Sequence, residues 1–265
     1  MQSYSSKHSY TKEVAKMNSL KDNLKAGKTV VGASGSTNVE NMLMLDSAGF
    51  DFILFDTQHS QVESKQLYTP IQALKGKKAT PLVRVSSNRE DLICFALDAG
   101  ARGIVAPMIN TKEEASALVR SCRYSPLGDR SNAGERGDWG ETKNYRDYLD
   151  TVNKELLIIP MIETQQAIDN IDEILSVPGI DVLLIGPSDL SIELGVPLDY
   201  KCDTYQNGLD TISKACKKHA VVPGMYFIPP EMDPNFFVEK GFTFFTVRWP
   251  ELALKGLKEG LDQIK

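Results

Sequence analysis

The chain has 265 residues, a length that suits one large α/β domain or two smaller ones. Its 42% hydrophobic and 25% charged residues are ordinary for a water-soluble globule, and a net charge of -5 offers no footprint for nucleic acid or an anionic membrane. No apolar stretch approaches the roughly 20 residues that span a bilayer, and the N-terminus lacks a signal-peptide core, so reducing cytoplasm is the expected location. Cys94, Cys122, Cys202 and Cys216 have no CxxC spacing and indicate neither a zinc site nor a disulfide framework. Cys94 and Cys216 fall in helical apolar patterns and are expected to be buried thiols.

Residues 1–16 are expected to form a disordered N-terminal extension and residues 17–265 a single catalytic domain. Val14, Met17, Leu20 and Leu24 recur at three- and four-residue steps and predict an amphipathic helix ended by Gly27. Short runs rich in Val, Ile, Leu and Phe then predict strands at Thr29–Ala33, Phe50–Asp56, Thr80–Val85 and Gly103–Met108. Four more follow at Leu156–Ile162, Asp181–Gly186, Val221–Ile228 and Phe242–Val247. Helical patterns lie between them, among them Glu113–Cys122 and Ala167–Ser176, and Leu252–Ile264 closes the chain. That alternation predicts a closed (β/α)8 barrel with an N-terminal helix. An open doubly wound sheet usually carries a GxGxxG loop after its first strand, and GASGSTNVE is not one. The Gly-rich stretch Tyr124–Asn153 is too long for a simple connection and is expected to be a lid or substrate loop, or else a subunit contact or a disordered insertion.

A barrel of this kind works at the C-terminal ends of its strands. Four ionisable residues sit there in the predicted pattern: His59 in FDTQHS, Arg84 in PLVRVS, Glu163 in PMIETQ and Asp189 in IGPSDLS. Either acid alone reads more simply as a surface or ion-pairing residue. The pair, on adjacent strands, suits Mg2+ or Mn2+ with water and a chelating substrate completing the shell. Gly186, Pro187, Ser188 and Asp189 form a Gly-Pro turn whose backbone N–H groups at a helix start can cradle an anion. Arg84, inside an apolar strand, needs a partner; it is either one half of an internal ion pair or a guanidinium that grips a carboxylate or enolate oxygen. His59, near Asp56, has the chemistry of a general base.

Taken together, AGFDFILFDTQHS, VRVSSN, ALDAGARGIVAPM, RYSPLGDR, IETQQAIDNIDEI and IGPSDLSIELG resemble the HpcH/HpaI class II pyruvate aldolases of the phosphoenolpyruvate/pyruvate barrel superfamily, from about Met17 onward. The resemblance implies cleavage of a 4-hydroxy-2-oxoacid to pyruvate and an aldehyde. Glu163 and Asp189 would hold Mg2+ or Mn2+, with Co2+ an alternative. Arg84 would stabilise the enolate, and the N–H groups of Ser188 and Asp189 would bind the carboxylate. His59 would take the proton of the 4-hydroxyl, oriented by Asp56 or Asp98. The family also swaps its last helix between subunits and assembles as homohexamers built from dimers. Asp98 lies near the C-terminal end of a helix, away from the mouth of its own barrel, so it reaches a neighbour's site or acts indirectly.

Two positions and one stretch depart from the family pattern. Gln58 precedes His59 where an acid is usual, Met161 stands for a glutamine two residues before Glu163, and GDRSNAGERGDWG differs from the usual loop. Residues 161 and 163 share a strand face, so a polar group turned to the substrate is expected to be lost. These changes leave the pyruvate half intact and bear on the aldehyde half. Oxaloacetate decarboxylation and a CoA-ester lyase are therefore kept as alternatives, with a non-catalytic oligomeric barrel as the reading from a different class.

Overall fold

Eight strands of four to six residues, nearly all buried on both faces, follow one another in chain order. They are β1 (Val30–Ser34), β2 (Phe52–Asp56), β3 (Thr80–Arg84), β4 (Gly103–Ala106), β5 (Leu157–Ile162), β6 (Val182–Ile185), β7 (Val222–Met225) and β8 (Phe244–Val247). Each pairs in parallel with its sequence neighbours, and β8 pairs with β1 to close the ring. The computed structural model describes residues 19–60 and 62–265; the expectations for the extension, Val14 and Met17 lie outside them.

Helices cover the outside of the barrel: α1 (Ser19–Lys25), α2 (Val39–Ala48), α3 (Tyr68–Ala73), α4 (Glu90–Asp98), α5 (Lys112–Cys122) and α6 (Tyr145–Glu155). They continue as α7 (Gln165–Asp169), α8 (Ile171–Leu175), α9 (Pro187–Glu193), α10 (Asp203–His219) and α11 (Pro234–Glu239), and the last helix, α12 (Trp249–Asp262), has no buried residue. The helix expected over Ala167–Ser176 is two pieces, broken at Asn170, whose side chain leaves the helix pattern to donate to the Asn110 carbonyl at 2.9 Å. Among the described residues, no helix is long and apolar enough to cross a membrane.

Inward-facing residues alternate along each strand and fill the barrel axis. Val30, Phe52, Leu54, Leu82, Val105, Leu157, Ile159, Met161, Val182, Leu184 and Phe244 form one dry inner cluster. Size is traded between neighbours: Phe52 and Phe244 stack at 4.4 Å across Gly32, where any Cβ would overlap the Phe52 ring. Leu20 and Leu24 of α1 join this cluster, so the helix plugs the N-terminal end of the barrel. Lys21, also buried, anchors it by an ion pair with Asp181 at 2.8 Å and a bond to the Leu156 carbonyl at 3.2 Å.

The Gly-rich segment corrects an expectation. Residues 124–144 are irregular and the remainder of the stretch forms α6, but all of it follows a helix and precedes a strand. Such a connection returns to the N-terminal face of the barrel, opposite the active face. There Asp138 accepts from the Gly76 N–H at 2.8 Å, Trp139 stacks under Arg102 at 5.1 Å, and Arg130 pairs with Asp98 at 3.3 Å. The stretch is a floor brace and not a lid. Cys94 also differs from expectation: it is half-buried, its Sγ 3.7 Å from Asp98, whereas Cys216 is buried as expected.

Candidate active site

Asp56 and Arg84 end adjacent strands and lie opposite one another in the β2–β3 register. That pairing puts a carboxylate beside a guanidinium at the mouth, and the two form a forked pair. Arg84 Nε donates to Asp56 Oδ1 at 2.8 Å and Nη2 to Oδ2 at 2.6 Å. Arg84 is 4% exposed, so this partner offsets the cost of burying its charge. Burial alone would lift the Asp56 carboxyl, but the Arg84 hydrogen bonds and charge outweigh it and hold its pKa below the usual range. Among the described residues no carboxylate or carbonyl accepts from Arg84 Nη1, which leaves that end of the fork for another oxygen.

Glu163 immediately follows β5 and is 2% exposed. Its Oε2 accepts the Met108 N–H at 2.8 Å, delivered by a Met108 backbone in the left-handed region with φ 55°. Next to it, Gly186 at the end of β6 must lack a side chain, because a Cβ there would overlap the Glu163 carboxyl. Burial pushes the Glu163 pKa up, and the Asp189 charge adds to that, while the Met108 N–H and Arg84 oppose it. Asp189 stands exposed in the first turn of α9, where Pro187 and Ser188 lead in from Gly186.

This donor set fits a divalent cation of the hard, oxygen-preferring kind. Burial and the nearby Asp189 carboxylate disfavour the charge on Glu163, and a cation between the two would relieve that. Among the described residues no group of three or more His, Cys, Asp or Glu side chains is placed to hold a metal, so water and substrate oxygens would supply the other positions.

The structure thus gathers Asp56, Arg84, Glu163 and Asp189, and it leaves two expected residues apart. His59 is exposed in the loop after β2, and among the described residues its ring makes no hydrogen bond. Its expected orienter Asp56 is committed to Arg84 and to the Gln58 N–H at 2.9 Å, and it meets His59 through the backbone N–H and not through the ring. Asp98 lies on the opposite face with Arg130 and Cys94, so within one protomer it does not meet His59. Met161 is fully buried in the inner cluster, one layer beneath Glu163, and lines dry core in place of an open pocket.

One neighbour went unread in the sequence. Tyr226 follows β7, and its ring faces Arg84 with the guanidinium carbon 4.1 Å from the ring centroid. Burial pushes its phenol pKa up to about 12. The alternation Val222, Gly224, Tyr226 carried the signal for an inward side chain, but the contact itself spans the barrel.

A model of the HpcH/HpaI aldolase/citrate lyase family matches residues 34–248. The chain belongs to that family. Every candidate residue from Asp56 to Asp189 falls inside the matched span, while α1 and α12 lie outside it. The chain is 31% identical over 219 residues to the 2-keto-3-deoxy-L-rhamnonate aldolase of Escherichia coli K12, covering 81% of each chain. Among solved structures, the HpcH/HpaI aldolase of Desulfitobacterium hafniense DCB-2 superposes with a TM-score of 0.84 at 26% identity, covering 94% of this chain and 97% of that one. The citrate synthase SbnG superposes with a TM-score of 0.78 at 25% identity, covering 93% and 99%. HpcH/HpaI membership makes the protein an enzyme, a carbon–carbon lyase on a (β/α)8 barrel.

Proposed function

We propose that this HpcH/HpaI enzyme cleaves a 4-hydroxy-2-oxoacid to pyruvate and an aldehyde. The observation that carries the reading is the forked Arg84–Asp56 pair held at the same mouth as the Glu163–Asp189 carboxylates. A cation-and-carboxylate arrangement of that kind suits an α-oxoacid, whose carboxylate and 2-oxo oxygens lie side by side. Mg2+ or Mn2+, or else Co2+, held by Glu163 and Asp189 would supply Lewis-acid polarisation of the 2-oxo group.

The protein's own groups account for the remaining steps. The free N–H groups in the first turn of α9, at Ser188 and Asp189, orient the substrate carboxylate at the Gly186–Pro187 turn. His59 takes the proton of the 4-hydroxyl, directly or through water. The C3–C4 bond then breaks, its electron pair passes toward C3 and the 2-oxo oxygen, and the aldehyde leaves. Arg84, fixed by Asp56, stabilises the negative charge that develops on that oxygen. Protonation at C3 gives pyruvate.

Decarboxylation of oxaloacetate is the second reading. It passes through the same pyruvate enolate and needs no base at a 4-hydroxyl. The orphaned His59 ring and the neutral Gln58 favour it, since Gln58 Oε1 is buried without a hydrogen-bond partner. In the aldolase reading, the orienting carboxylate for His59 comes from a second copy, with Asp98 the candidate. The apolar face of α12 supports assembly as a homo-oligomer, and the family resemblance points to a hexamer built as a trimer of dimers with this helix exchanged.

Pyruvate release coupled to lactate dehydrogenase tests the reading. Release from 4-hydroxy-2-oxoacids that stops on EDTA treatment and returns with Mg2+ or Mn2+ is the expected result. Release from oxaloacetate alone would replace the aldolase with the decarboxylase, and release from neither would sink both.

A further inference from the structure

Arg84 ends β3 and Tyr226 follows β7, strands four places apart in a closed ring of eight. The two side chains therefore meet across the barrel axis, with the guanidinium carbon 4.1 Å from the ring centroid. Tyr226 is held for this contact from both sides. Its N–H donates to the Ile185 carbonyl of β6 at 2.9 Å, and its carbonyl accepts the Thr246 hydroxyl of β8. Behind the ring lies the inner cluster, so it cannot fall back into the barrel.

A guanidinium is planar, and its N–H bonds lie in that plane. Asp56 engages one edge through Nε and Nη2, which fixes the group in its plane but leaves rotation about that edge. An aromatic face over the group, with the guanidinium carbon this close to the ring centroid, restricts that remaining freedom. We propose that Tyr226 is a positioning residue, which holds the guanidinium of Arg84 at the angle that presents Nη1 to the enolate oxygen of pyruvate. The inference rests on the pyruvate-enolate reading and adds to it a residue on the far side of the barrel.

The test uses the full chain saturated with Mg2+ and two probes. Exchange of the methyl protons of pyruvate in D2O, followed by NMR, reports enolate formation. Oxalate, a planar dianion shaped like that enolate, reports binding by calorimetry. Tyr226→Phe should stay within about 2-fold of wild type in both, because the aromatic face is kept. Tyr226→Leu should slow kcat for exchange about 10-fold and weaken oxalate to a similar extent, the size of a desolvated cation–π contact, with the KM for Mg2+ unchanged. If Leu prevents folding, Tyr226→Met serves in its place.

The decisive comparison repeats the substitution in an Arg84→Lys background, with oxalate affinity as the readout so that lost turnover does not matter. A positioning role predicts less than about 2-fold further loss there. An equal loss in both backgrounds, or a Phe variant as poor as Leu, would overturn the inference and leave Tyr226 as packing. Absence of exchange in the wild-type enzyme would overturn the pyruvate-enolate reading itself, and this inference with it.

Discussion

At the scale of single residues, the site stores an imbalance of charge. Glu163 is buried, is pressed further by Asp189, and is kept in place by the Met108 N–H and the side-chain-free surface of Gly186. Glu163→Gln should leave the barrel folded, weaken Mg2+ or Mn2+ binding about 100-fold or more in calorimetry, and abolish pyruvate release. Unchanged turnover in that variant would remove Glu163 from the mechanism. Asp56 has the opposite character. Its folded pKa is lowered, so the ion pair with Arg84 contributes stability fully above the ordinary carboxylate value of about 3.9 and loses it as pH falls through the lower folded value. Asp56→Asn should accordingly be destabilised relative to wild type in urea unfolding at pH 6. The gap should narrow when the comparison is made at pH 3.

Among the elements, the brace at the N-terminal face is the one whose role changed on folding. Asn153 of α6 pins its start: Oδ1 accepts the Tyr124 N–H at 2.7 Å and Nδ2 donates to the Tyr124 carbonyl at 3.0 Å, all buried. Its own carbonyl accepts from Arg123. Truncation would strand two buried backbone groups, so Asn153→Ala should cost about 2 kcal/mol. In a domain of this size that lowers the unfolding midpoint by roughly 4–8 °C. The kcat/KM for pyruvate release should stay near wild type, since the segment lies at the far end of the barrel from Glu163. A large loss of kcat/KM with an unchanged midpoint would restore the lid reading.

For the whole molecule, α12 is the unfinished part. None of its residues is buried; Leu254, Leu257 and Leu261 are 53%, 67% and 53% exposed, and Ile264 just beyond it is 85% exposed. An apolar stripe of that length on a single protomer invites a partner. Light scattering should find an oligomer for the full chain, and a chain ended at Arg248 should dissociate and lose thermal stability. A monomeric full-length enzyme with full activity would rule out both the exchange of α12 and a contribution from Asp98 across subunits.

What the sequence determined by itself was everything carried by local period and chain order. Eight short apolar runs alternating with helical patterns specified the barrel, and the strand ends and the loops just after them located Asp56, Arg84, Glu163 and Asp189, because chain order puts those segments at the mouth. Chain order also held the answer for residues 124–144, whose glycines suggested a lid, although a helix-to-strand connection must return to the N-terminal face. Only tertiary structure decided the contacts that need the ring to close. Tyr226 reaches Arg84 because β3 and β7 become diametric, and Asp56 pairs with Arg84 because register sets them opposite one another. The periodicity of α12 reports an apolar face, but what covers it depends on surfaces beyond that helix, which no local pattern encodes.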